Sequence, residues 1–284
     1  MKLHSGNLYC SLAITTLLLT LLLVVPTMAN ANSGGKVLNG LTMALALVED
    51  PAWVTSSSIV TSPSVGASGV FDNPLTFFPT GSNDNYVVLS TGYVSNIPKP
   101  GTFASDNLLG DNVRGDTDFD VTIWEIGLDV PEGLDCLSFD LQFLSEEYPT
   151  YVGYIYNDAF IAELDVSDWT TDYTTIVAPN NFAFDDIGNV VSVNSVVGFS
   201  AANGAGTAFD MTEDDPDRGG ATSVLKVYSP ITPGPHTLYF SIFDQVDLFY
   251  DSVVFLDNLE IFYSGGSCRS GIAYHRIFLP LLVQ

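Results

Sequence analysis

Residues 139–164 read FDLQFLSEEYPTYVGYIYNDAFIAEL, a pattern of strand, acidic turn, strand. Phe139, Leu141 and Phe143 alternate with Asp140 and Gln142, the period-2 mark of a strand with one face in a core. Ser145, Glu146, Glu147, Tyr148 and Pro149 interrupt the alternation. Pro149 has no N–H to give a central ladder, which puts this turn at an edge of the sheet or outside it. From Tyr154 the alternation resumes, with Tyr156, Phe160, Ala162 and Leu164 on one side. Asp158 falls on that same side and Asn157 on the other. A carboxylate on an apolar face is costly unless it is partnered. Asp158 therefore predicts either a bound cation or a hydrogen-bonded turn.

Outward from this stretch the chain is mostly short strands. Residues 119–130 and 137–144 read as strands joined through the turn signal Pro131-Glu132-Gly133. Residues 54–70, 86–90, 190–197, 223–228, 237–243 and 253–263 are further strand candidates, separated by Gly/Pro turns. Residues 41–49 (LTMALALVE) are the one helical piece, ending before Pro51, and are expected to cap an end of the sandwich. The predicted fold is all-β, an antiparallel β-sandwich of jelly-roll type with one short N-terminal helix and long loops.

Lys2 and His4 precede an apolar run over residues 12–25, and Ala29-Asn30-Ala31 fits a small-residue cleavage site, so residues 1–31 read as a secretory signal peptide. The run is shorter than the ~20 residues that span a bilayer, and no second stretch is long enough to cross a membrane. The sandwich domain is expected over residues 32–265, followed by a linker and short apolar tail over 266–284. The mature chain keeps Cys136 and Cys268. An exported chain forms a disulfide between them if their Cα atoms lie within ~7 Å.

The formal net charge is −25, and all 33 Asp and Glu follow residue 48. Such a chain is repelled by phosphate backbones, which argues against nucleic-acid binding. Its abundant apolar and aromatic residues separate it from disordered acidic tails. No Ser-His-Asp or Cys-His arrangement is visible, there is no G-x-S-x-G elbow, and clustered zinc ligands are missing. The expectation is a non-enzymatic protein. The one catalytic arrangement the residues allow is a glycosidase pair, with Glu146 or Glu147 opposite Asp158 or Asp251.

Calcium suits the same groups, because it takes ~6–8 oxygen ligands from carboxylates, amides and main-chain carbonyls. The candidate ligands are Glu146, Glu147, Asn157 and Asp158 from the central stretch and Asp244, Asp251 and Asp257 from the last hairpin, with Asp247 between them. They meet at one end of the sandwich if the two hairpins are neighbours. The plain alternative has Glu147, Asp158 and Asp251 accepting backbone N–H bonds in turns. A second acidic run, Asp116-x-Asp118-x-Asp120 in the loop 93–117, resembles half an EF-hand, but Val121 stands where Gly is needed and Gly127 where the closing Glu belongs. A looser carboxylate-lined calcium loop there, with Asp106 and Asp111, stays open. Tyr148 and Tyr151, in the turn, are candidates to stack on a sugar.

Four segments also carry a resemblance. LSEEYPTYV with YNDAF over residues 144–160, VLSTG at 88–92, VTIWEIGLDV at 121–130 and YDSVVFLDN at 250–258 stand in the order of the choice-of-anchor L domain, found on secreted and surface proteins of bacteria. The similarity runs from about Leu41 to Tyr263. It implies a secreted or cell-surface module and names no reaction. FLDNLEIF also looks like the last strand of jelly-roll carbohydrate-binding modules, an analogy of fold only. The tail lacks an LPxTG sorting signal and resembles the short "YLPLL"-type ending of many secreted bacterial proteins. The functional expectation is an adhesion, ligand-binding or matrix module stabilised by calcium, whose partner is an extracellular ligand, a glycan or another surface protein. The alternative is a carbohydrate-active protein that binds or cleaves glycan.

Overall fold

The structure, a computed structural model, describes residues 39–270 except 106, 107, 109, 111, 186, 196, 197 and 211–217. The expected signal peptide, the tail beyond residue 270, Asp106, Asp111 and the acidic run 213–217 lie outside the described residues.

Helix α1 (Gly40–Leu47) opens the fold and is followed by thirteen strands: β1 (Val54–Thr61), β2 (Ser68–Phe71), β3 (Tyr86–Ser90), β4 (Asp118–Val130), β5 (Cys136–Pro149), β6 (Ala159–Leu164), β7 (Thr170–Asp172), β8 (Thr175–Val177), β9 (Val191–Ser192), β10 (Arg218–Ala221), β11 (Leu225–Pro230), β12 (Gly234–Gln245) and β13 (Ser252–Phe262). One sheet runs β1-β4-β12-β6-β9. The other runs β10-β5-β13-β3-β2, with β11 also on β5, and β7 and β8 form a small ribbon. Every ladder between these strands is antiparallel. The fold is the expected β-sandwich.

The turn after Val130 carries the chain from the first sheet to the second, so β4 and β5 face each other across the core. Trp124, Phe139, Phe143, Phe160 and Phe240 pack there, beside Leu141 and Val254. The ring of Phe139 meets Phe240 edge-on at 4.9 Å. Helix α1 closes one end: the side chain of Asn39 caps its first turn, accepting from Thr42 N at 3.0 Å, and Met43, Ala44 and Leu47 enter the core.

The second sheet is covered on both faces, which the alternation in 139–144 did not foretell. Its outer face carries Phe71, Phe78, Tyr86, Leu144, Phe209 and Phe255 under long loops. Asp140 and Gln142 do point away from the central core, but they are buried too. Gln142 donates to Thr222 O at 2.9 Å, and Asp140 accepts from Asn258 Nδ2 at 2.9 Å.

Two readings of the central stretch are corrected. Ser145–Tyr148 do not break the strand: β5 continues to Pro149, because Ser145 pairs with Ser252 of β13 and Pro149 with Arg218 of β10. Pro149 is the terminal residue, where a missing N–H costs nothing. Residues 154–157 are not strand. Tyr151 packs on Tyr154 and Tyr156 at 6.2 and 5.4 Å, and Asn194 Oδ1 accepts from Gly153 N, which folds the segment into a turn before β6. The loop 165–185 carries the β7–β8 ribbon, and among the described residues of the expected strand 190–197 only Val191 and Ser192 form strand.

At the opposite end of β5, Cys136 and Cys268 are joined in a disulfide with Cα atoms 5.5 Å apart. Asp135 braces the segment leading to it, accepting from Ser264 N and Gly266 N.

Candidate functional site

The acidic residues gather where β5 ends and β13 begins. Glu146 and Glu147 are neighbours in an extended strand, so their side chains leave opposite faces. Glu146 turns outward and grips the 93–117 loop, accepting from Ala104 N at 2.7 Å, Ser105 N at 3.1 Å and the Ser105 hydroxyl. Burial raises its carboxyl above the ordinary value, opposed by these donors and by Arg218. Glu147 turns inward, toward the gap between the sheets, where its Oε2 accepts from Asp158 N at 3.4 Å.

Asp158 stands just before β6 and ties the two sheets together. Its Oδ1 accepts from Gln245 N at 3.0 Å and its Oδ2 from Ser252 Oγ at 2.6 Å. Asp244, near the end of β12, is 1% exposed, and no donor meets either of its carboxylate oxygens in good hydrogen-bond geometry, though the Asp158 carboxyl and the Thr91 hydroxyl both bear on it. The Thr91 hydroxyl beside it is engaged with Ser252, accepting from its N–H at 3.0 Å and donating weakly to its carbonyl. Asp251 is buried against Gly92, where a β-carbon would come within 1.7 Å of its Oδ2. Only glycine lets that carboxylate in.

The protons of this group are held tightly. Burial pushes Asp158 up to about 7 despite its donors from Ser252 and Gln245. Burial first, then Asp158 and Asp251, hold Asp244 well above the carboxylate range. Burial, Asp158 and Asp247 do the same for Glu147.

The structure therefore brings together Glu147, Asp158, Asp244 and Asp251, with Glu146 and Asp247 at the rim. It does not bring in Asn157 or Asp257. The Asn157 side chain accepts from Asn194 N at 2.8 Å and braces a turn. Asp257 lies farther along β13, opposite Asp140, where it accepts from Thr80 N, Gly81 N and Asn258 N at 2.6, 2.8 and 2.7 Å. In the run 116–120, Asp116 and Asp118 are spent on loop backbone, while Asp120 uses only one oxygen there: its Oδ2 is buried without a donor, and its charge reaches Asp244. Asp118 accepts from Val113 N and Arg114 N, Asp116 from Tyr173 N and Asp120 from Gly110 N. Among the described residues no group of three or more His, Cys, Asp or Glu is disposed as a ready-made metal cage.

Over the carboxylates opens a pocket of about 520 Å³, lined by Phe103, Ser105, Tyr151, Tyr156, Arg218, Asp247, Phe249 and Tyr250. Tyr151 packs on Tyr156 and Tyr250, each at 5.4 Å. The Arg218 guanidinium lies 4.0 Å from the Phe103 ring and 4.6 Å from Tyr250, and this cation–π clamp fixes its direction. Phe103 and Phe249 are more than half exposed. Ser105 and Asp247 belong both to the pocket wall and to the acidic group beneath. Of the two tyrosines read as sugar-stacking candidates, Tyr151 lines the pocket. Tyr148 instead stacks on Phe199 at 4.9 Å. Phe103, Arg218, Phe249 and Tyr250 were missed. The only local signal was an aromatic pair, Phe249-Tyr250, between Asp247 and Asp251.

Residues 40–260 match the choice-of-anchor L domain. The chain belongs to that family. Membership makes this choice-of-anchor L domain an extracellular or surface-associated protein. Among the described residues, no helix is long and apolar enough to cross a membrane. Comparison with curated protein sequences finds no match. Among solved structures, the domain is similar to the enzymatically active domain of tailspike protein 4 of bacteriophage CBA120, with 12% identity, TM-score 0.25, 80% of this chain covered and 21% of that one. It is also similar to a cleaved adhesin domain of Lys-gingipain from Porphyromonas gingivalis, with 12% identity, TM-score 0.26, 71% of this chain covered and 100% of that one. The chain thus spans about a fifth of the tailspike domain's length.

Proposed function

We propose that this choice-of-anchor L domain is an extracellular binding module that holds a glycan in the aromatic pocket and does no chemistry on it. One observation carries the reading: Tyr151, Tyr156, Tyr250, Phe103 and Phe249 ring a concave site that also contains Arg218 and Asp247. Sugars present apolar C–H faces and a fringe of hydroxyls. Aromatic walls with a few fixed polar groups are the matching surface. Binding is favoured over cleavage because Glu146 and Asp158, one from each side of the conceivable glycosidase pair, are committed elsewhere. Glu146 holds a loop and Asp158 joins the sheets.

A glycan array probed with the folded domain tests this. We expect retention of a defined set of glycans, at least tenfold weaker binding by Tyr250→Ala and Tyr151→Ala, and no released sugar on prolonged incubation. Folded protein that binds no glycan, or binds equally well after both substitutions, would refute the proposal. Released reducing ends would turn the reading to a glycosidase.

A further inference from the structure

The carboxylates beneath the pocket present a separate problem, independent of what the pocket holds. Asp158, Asp244, Asp251 and Glu147 are each about 1% exposed or less and sit within mutual electrostatic reach. Burying one unpaired carboxylate is expensive, and burying several together more so. The nearby Arg218 acts on Glu146, on the outer side of β5. Asp158 has two strong donors, but Asp244 has none in good geometry for either oxygen. A buried carboxylate with no well-placed donor on either oxygen, facing other carboxylates, marks a place built for a positive charge.

We propose that Asp244, Asp158, Asp251 and Glu147 bind one calcium ion between the ends of β5, β12 and β13. The donors are all hard oxygens, with no imidazole or thiolate, which selects against zinc and other transition metals. An irregular set of carboxylates drawn from four chain segments suits calcium's loose 6–8 coordination better than magnesium's strict octahedron. The carboxylates must close in on the ion, since as they stand they form no ready-made cage. Asp158 is already positioned by Gln245 N and Ser252 Oγ. The bound ion would join both sheets at the end opposite helix α1 and hold Asp244 and Asp251, which flank the Phe249-Tyr250 loop of the pocket.

Equilibrium dialysis of chelator-stripped protein against calcium, paired with thermal melts in calcium and in EDTA, tests the proposal. The expected result is about one calcium per chain at millimolar free ion, the range of extracellular calcium modules. The melting temperature should rise by several degrees as calcium is added, and less with magnesium. Asp244→Asn should lose both the bound ion and the calcium-dependent rise. In EDTA it should melt no lower than the wild type, because the amide replaces a carboxyl that burial keeps protonated when no ion is bound. Asp257→Asn should keep the calcium response. No bound calcium and superimposable melts would overturn the proposal and leave protons as the neutralising species. Calcium binding unchanged by Asp244→Asn would overturn it too, placing the ion elsewhere on the acidic surface.

Discussion

Replacing Cys268 with serine isolates the contribution of the cross-link, because Cys136 stays in place as a small buried apolar side chain. The bond closes a loop with a sequence separation of 132, which takes in most of β5 through β13. The chain-entropy relation gives a denatured-state constraint of about 5 kcal/mol at 25 °C for a loop of that length. In the native state the segment is held in addition by Asp135, through Ser264 N and Gly266 N, so losing the bond should leave the fold intact. For a domain of this size each kcal/mol moves the melting temperature by about 2–4 °C. Cys268→Ser should therefore melt about 10–20 °C below the oxidised wild type by calorimetry. Wild type held in excess reductant should fall to the same temperature, and the variant should not respond to reductant. If the oxidised wild type and Cys268→Ser melt within about 2 °C of each other, the reasoning fails. The cross-link would then constrain little of the unfolded chain.

Three further outcomes follow from particular contacts. Asp257→Ala removes the acceptor of three backbone N–H groups and should cost about 3 kcal/mol in chemical denaturation, whereas Asp257→Asn keeps an oxygen for them and should cost less than half as much. Gly92→Ala puts a β-carbon into the Asp251 carboxylate and should destabilise by about 1–3 kcal/mol; a neutral result would mean that Asp251 moves aside freely. Glu163 is buried with one oxygen lacking a donor, and burial raises its carboxyl to about 7. Its folded value exceeds the unfolded one, so its protonation favours the fold fully below the unfolded pKa, and that gain is lost as pH rises toward 7. Glu163→Gln should raise the melting temperature at pH 8 by about 2–4 °C and narrow the gap between melts at pH 5 and pH 8. An unchanged gap would count against this.

Much of the sandwich was legible because period-2 alternation reports the face that meets the core: Phe139, Leu141 and Phe143 lie where that alternation puts them. The second covering of the same sheet was not legible. Phe78 and Phe209 reach its outer face from loops far away in the chain, and no local period encodes that. Ser145–Tyr148 read as a turn on composition, but strand pairing overrode it, since Ser145 finds a partner in Ser252. Asp158 stood out as an interruption of an apolar face, and its place between the sheets explains the interruption. Asp257 and Asp251 looked equivalent, yet six residues along an extended strand separate them by about 20 Å. The pocket residues Phe103, Arg218 and Tyr250 share no spacing at all; only the strand order brings them together.

The disulfide and the pocket lie at opposite ends of the same two strands. β13 begins beside Tyr250, covers 11 residues or about 35 Å, and ends with Phe262 paired to Cys136. If a ligand grips the pocket while tension is applied beyond Cys268, the line of pull runs along β13. That strand is held on both sides, by β5 and by β3, and its ladder bonds lie across the pull. They are loaded together in shear instead of being unzipped one by one. A tug along this axis must therefore break a whole ladder at once, whereas a sideways tug on β1 or β2, at the sheet edges, peels one bond at a time.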